Sequence, residues 1–157
     1  MKSRLQGWFL ITVLMTLAGC VPARPDIFPP QLSIDALRIS GQGSWQLVLR
    51  IKNDSYASMT FRHLEGQLLV DGQAPLRMSA DMDLEIPALA ADVTRVEIPA
   101  TAALHKVLTD SRHTPFGLPY RFSGQVVTGG SASGTRHFDF SHDDRFYPVP
   151  GDARRFR

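Results

Sequence analysis

Cysteine is nearly absent from this chain, with Cys20 the only one in 157 residues. One thiol cannot close a disulfide within its own chain. Charge of one sign is lacking too. Lys and Arg number 17 against 15 Asp and Glu, so no broad basic field argues for nucleic acid. The apolar run from Trp8 to Ala18 falls short of the roughly 20 residues that a helix needs to cross hydrocarbon. Gly41-Gln42-Gly43 lacks the third glycine of a dinucleotide fingerprint and lies in a hairpin context. Ser131 and Ser133, inside the Gly129–Gly134 segment, lack the spacing of a nucleophile elbow. No active site assembles from these residues, so the chain reads as noncatalytic and free of cofactor or metal.

What is present begins at the N-terminus. Lys2 and Arg4 precede the apolar run, which ends in Leu17-Ala18-Gly19-Cys20. This order resembles a bacterial lipoprotein signal peptide with its lipobox, in which small residues admit a peptidase ahead of a lipid-modified cysteine. The competing reading is a short N-terminal membrane anchor with an incidental cysteine. The resemblance implies a leader over 1–19, lipid on Cys20, and a mature chain of 138 residues held to a membrane outside the cytoplasm. Lys2 and Arg4 depart with the leader, leaving fifteen charges of each sign. Each buried lipid methylene contributes about 0.8 kcal/mol, so two or three chains hold a protein durably. Val21, rather than Asp, follows the cysteine. By resemblance to Gram-negative sorting rules this favours the outer membrane facing the periplasm over the inner membrane.

Residues 20–30 carry four prolines, at 22, 25, 29 and 30. Proline fixes φ and removes an amide donor, which favours an extended tether. Ile27 and Phe28 could instead dock on the domain and shorten it. From Gln31 the dominant period is two. Leu32 and Ile34 open a strand to about Ile39; Trp45, Leu47, Leu49 and Ile51 alternate with Gln46, Arg50 and Lys52. Met59 and Phe61 share one parity and Leu64, Leu68 and Val70 the other, which a bulge near Arg62-His63 reconciles. Asp71-Gly72 marks a type I′ turn. Leu76 to Ile86 alternates strictly; Val96-Ile98, Tyr120–Val126 and Phe138-Phe140 supply further strands. Between them Ala103, Leu104, Val107 and Leu108 fit a short helix behind an N-cap at Thr101. About seven strands and one helix predict an all-β antiparallel sandwich over residues 31–143, followed by a basic, aromatic tail over 144–157.

The order of Ile51-Lys52-Asn53-Asp54, Leu64-Glu65-Gly66-Gln67-Leu68-Leu69-Val70-Asp71-Gly72, Leu84-Glu85-Ile86-Pro87-Ala88 and Val96-Glu97-Ile98-Pro99 resembles the type 2 late embryogenesis abundant family. That family is also described as the water stress and hypersensitive response domain. Its Asn-Pro-Asn turn departs here to Asn53-Asp54. The resemblance spans about residues 31–143 and implies a fibronectin- or immunoglobulin-like sandwich, a role in desiccation and other stress, and no catalytic residues.

The remaining candidates are few. His137, Asp139 and Ser141 share one strand face and His142 takes the other, which weakens a metal site; His142, Asp143 and Asp144 could hold a cation where the strand ends. His63, His105 and His113 read as surface or packing residues. Asn53-Asp54-Ser55 forms a glycosylation sequon that carries little meaning in a bacterial lipoprotein. Arg145, Arg154, Arg155 and Arg157, interleaved with Phe146, Tyr147 and Phe156, offer guanidinium forks to anionic lipid or cell-wall polymers. Val48 and Leu69 are candidate outward apolar contacts. The expectation is a noncatalytic envelope lipoprotein acting in stress protection by surface binding. The alternatives are an assembly lipoprotein that binds an envelope protein through a sheet edge, and a lipid-binding module.

Overall fold

Period-two alternation becomes a two-layer sandwich in the computed structural model, which describes residues 26–40, 44–99, 101–111, 116–129 and 134–157. The proposed leader and Cys20 lie outside the described residues. The strands are β1 (Gln31–Ile39), β2 (Ser44–Lys52), β3 (Met59–Val70), β4 (Leu76–Ile86), β5 (Ala91–Pro99), β6 (Leu118–Gly129), β7 (Arg136–Phe146), β8 (Pro148–Val149) and β9 (Asp152–Phe156). Helix α1 (Ala102–Asp110) joins β5 to β6. One sheet has the order β5-β2-β1-β9-β8 and the other β4-β3-β6-β7. The pairings are antiparallel throughout.

The alternation decides which face is buried. Trp45, Leu47, Leu49 and Ile51 of β2 point into the core with Phe61, Leu64, Leu68, Phe122 and Val126 from the facing sheet. Full burial of such side chains contributes about 1.5–3 kcal/mol each against leaving them in water. The parity change in β3 is a register shift between Phe61 and His63, seen against both β4 and β6. The extra residue turns Met59 and Phe61 onto the same face as Leu64 and Leu68. Asp71 and Gly72 take φ of 48° and 69°, and Gln73 N–H donates to Val70 O at 2.9 Å, as a type I′ turn requires. Thr101 caps α1, its hydroxyl accepting from Leu104 N–H at 3.3 Å, and Leu104 and Leu108 enter the core.

Two boundaries differ from the sequence reading. The division at residue 143 falls inside β7, and the segment set apart as a tail over 144–157 is built into the sandwich. Chain direction reverses through β8, and β9 pairs with β1, placing Phe156 opposite Leu37 and Arg155 opposite Arg38. Phe146 and Phe156 are both buried. Tyr147 and Arg157 exchange backbone hydrogen bonds of 2.8 and 3.0 Å. A five-residue strand with one inward side chain has no visible period; an open edge of β1 supplies its order. The other difference is at the N-terminal side, where residues 26–30 lie on the domain. Ile27 packs against the core and Pro30 is buried, so residues 26–30 belong to the domain rather than to a tether.

Candidate functional site

Three chain segments meet at one end of the sandwich: the strap 26–30, the turn 53–58 after β2, and the turn 87–90 after β4. Asn53 joins two of them. Fully buried, its Nδ2 donates to the carbonyls of Ala57 (2.9 Å), Ile86 (3.1 Å) and Pro87 (3.0 Å), while Oδ1 accepts from Ser55 N–H at 2.9 Å. Its own N–H donates to Ala90 O at 2.8 Å. Ser55, also buried, ties the third segment: Phe28 N–H donates to its hydroxyl oxygen at 2.8 Å, and Tyr56 N–H reaches Asp26 O at 3.0 Å. A buried amide with every donor placed over a carbonyl fixes turns that loops would otherwise leave loose. Asp54, beside this hub, bonds Lys52 at 2.7 Å, and that hydrogen bond holds its carboxyl below the usual range.

This end presents three large apolar side chains to solvent. Phe28 is 43% exposed, Tyr56 61% and Leu89 59%. The Phe28 and Tyr56 rings meet edge to face with centroids 6.2 Å apart. Leu89 takes φ of +57°, a left-handed conformation that costs a residue with a Cβ about 1–2 kcal/mol. Leu89 N–H donates to Ser55 O at 3.2 Å, so the strained turn is clamped against the turn 53–58. Replacement by glycine removes the Cβ strain but adds freedom to the unfolded chain. The Leu89→Gly variant is expected to unfold at a temperature about 2–4 °C higher, corresponding to a gain of about 0.5–1 kcal/mol, in a thermal melt. A lower melting temperature would mean that the Leu89 side chain stabilises the fold by packing.

The polar candidates do not converge. On β7, His137, Asp139, Ser141 and Asp143 lie on the outer face while His142 lies on the inner side. His137 Nδ1 approaches Gln125 Oε1 at 3.3 Å and Gln125 donates to Asp139 at 3.0 Å. His142 instead sits 6.3 Å from the Tyr120 ring and 3.8 Å from Asp144. Among the described residues no group of three or more His, Cys, Asp or Glu is placed to hold a metal. His63 bonds Asp81 at 2.6 Å; that contact raises its pKa. His105 is exposed on α1, and His113, Gly41–Gly43, Ser131 and Ser133 lie outside the described residues. A surface hollow of about 570 Å³ is lined by Asp71, Tyr120, Arg121, Asp143, Asp144 and Arg145, among others. Three of its charged side chains are already engaged: Arg121 pairs with Asp143 at 2.6 Å and Arg145 donates to Phe116 O at 2.9 Å. Burial, with the Asp144 charge adding to it, pushes the Tyr120 hydroxyl up to about 12.

The tail arginines are dispersed by β9. Arg155 stands opposite Arg38 on the sheet, while Arg154 alternates to the other side. Val48 and Leu69 are half-buried. The apolar end was missed in the sequence, where Phe28, Tyr56 and Leu89 lie in three separate loops. Only the turn contacts bring them together.

No family model matches the sequence, and no curated protein matches it. Similar folds occur among solved structures. A Northeast Structural Genomics Consortium target, SoR45, superposes with a TM-score of 0.50 at 9% identity, covering 80% of this chain and 91% of that one. A solution structure provisionally described as a late embryogenesis abundant protein gives 0.48 at 11% identity, covering 94% and 87%. A protein from Archaeoglobus fulgidus gives 0.46 at 6% identity, covering 79% and 98%. At these identities the likeness is one of fold: a two-sheet, all-β sandwich with one short helix.

Proposed function

We propose that this chain is a noncatalytic envelope lipoprotein, anchored through lipid on Cys20, whose type 2 late embryogenesis abundant-like domain protects envelope components during water loss by surface contact. One observation carries the family part of the reading. Two of the motifs that carry the resemblance, around Asn53 and around Ile86-Pro87-Ala88, are far apart in sequence yet meet through the Asn53 amide. Motifs that bond one another form a structural unit, whereas chance dipeptides have no reason to. The anchor rests on the lipobox order ending in Cys20. Tight apolar packing of both sheets favours a rigid protectant surface over a disordered one.

Charged side chains on the outer edges oppose the assembly alternative. Edge strand β4 places Arg77, Asp81, Asp83 and Glu85 outward, the usual defence of an edge against added strands. The test uses the chain from residue 20 carrying Cys20→Ser, dried or freeze-thawed with a labile enzyme, against an unrelated sandwich at equal mass. Enzyme recovery well above that control is the expected result. Recovery equal to the control overturns direct shielding.

A further inference from the structure

We propose that Phe28, Tyr56 and Leu89 form a membrane-docking tip that seats the domain end-on in the interfacial layer of the bilayer. The inference rests on the lipid-anchor reading in one respect, the distance from the anchor. Five residues separate Cys20 from Asp26. Even fully extended they hold the strap within about 20 Å of the lipidated residue. The strap bonds directly to the turn that carries Tyr56, so this end of the sandwich stays within reach of the bilayer whenever the anchor is inserted.

The tip has the composition of an interfacial contact. A tyrosine, a phenylalanine and a leucine stand exposed together, and aromatic rings with a polar handle settle at headgroup level. Their chain neighbours Pro29, Pro87 and Ala88 are exposed as well. These residues come from three segments clamped by Asn53 and Ser55, so little conformational entropy is lost on contact. The strained Leu89 turn supplies an independent indication. It holds an apolar side chain outward at a stability cost, the kind of local strain that accompanies function.

Charge separates this contact from the usual basic docking patch. Asp26 and Asp54 flank the tip, and Lys52 is already paired with Asp54 at 2.7 Å. Attraction to anionic headgroups is therefore not the source of binding. Docking comes from apolar burial beside a bilayer that the anchor has brought within reach, and it is insensitive to salt.

The chain offers a clean optical probe. Of its two tryptophans, Trp8 lies in the leader and Trp45 is 1% exposed in the core. Full-length protein would be produced from its own leader in a Gram-negative bacterium and weighed by intact mass. It would then be reconstituted in phosphatidylcholine vesicles with or without bromine on the acyl chains. Tyr56→Trp and Leu89→Trp are made separately, so that one survives if the other folds poorly. In the expected result the mass carries lipid, and emission from either new tryptophan falls about twofold in brominated vesicles. That drop is equal at low and high salt, and Trp45 in the wild type is unaffected.

Lipidated protein whose new tryptophans escape quenching overturns the docking and leaves the anchor standing. Quenching that high salt abolishes overturns an apolar contact. A blue shift without quenching, together with a crosslinked dimer, assigns the tip to a second copy of the chain instead. A mass without lipid overturns the anchor reading and the docking with it.

Discussion

Asn53→Ala is expected to cost about 3–4 kcal/mol in urea unfolding, a large share of the 5–15 kcal/mol that holds a domain of this size. The estimate follows from what the alanine leaves behind. Ile86 O is buried where the Asn53 amide reaches it, Ala57 O is partly buried, Pro87 O keeps its 3.3 Å bond from Ala90 N–H, and Ser55 N–H loses its acceptor. Each buried group left without a partner costs about 1–3 kcal/mol, less where water can reach it. Asn53→Asp tests the same geometry more severely. A carboxylate would face carbonyl oxygens where the amide donated, so the native state would favour the neutral acid and raise its pKa above the unfolded value near 3.9. Such a variant is most stable below that unfolded value. It then loses stability as pH rises through the window between the unfolded and the folded pKa. Asn53→Asp should therefore be the weaker of the two variants at neutral pH, with the gap narrowing in acid. Equal stability across pH would mean that the amide does not point at these carbonyls.

The same residue shows how far a sequence can be read. Alternation of apolar residues gives β2, β4 and the interior face of each sheet directly, because burial on one face imposes a period of two. The β3 bulge is legible as a parity conflict, and the Asp71-Gly72 turn as a demand for positive φ. Asn53 is legible as the end of a strand and no further. Asparagine bonds its own backbone in countless turns, and nothing local says that its partners lie 33 and 34 residues away. Strand β9 is hidden for a related reason: its order comes from the edge it joins. Leu89 reads as an ordinary loop residue, since sequence carries no mark of a left-handed φ at a leucine. The apolar tip depends on all of these at once. Non-local hydrogen bonds assemble it, and only after assembly do separate loop residues become a surface.

Centre-sheet glycines set the second large effect. Gly66 of β3 and Gly124 of β6 are cross-strand partners in the middle of the four-stranded sheet, yet they are not equivalent. A Cβ on Gly124 would lie 2.1 Å from Glu65 O and 2.6 Å from Gly66 Cα, both backbone atoms of the paired strand. No rotamer change relieves that overlap; the strands must separate or slip, and a slip by one residue would turn β6 inside out. A Cβ on Gly66 meets Phe122 Cε2 at 3.1 Å and Met78 Cγ at 3.5 Å, where a ring and a flexible thioether can yield by a few tenths of an ångström. Gly124→Ala is expected to cost about 4 kcal/mol or to prevent folding, against about 1 kcal/mol for Gly66→Ala. Both substitutions share the same gain from a less flexible unfolded chain, about 0.4–1 kcal/mol, so their difference isolates the close approach of the two backbones. Urea midpoints of the two single variants decide it. If Gly124→Ala were no worse than Gly66→Ala, β3 and β6 would have to be farther apart at this pair than the sheet geometry places them.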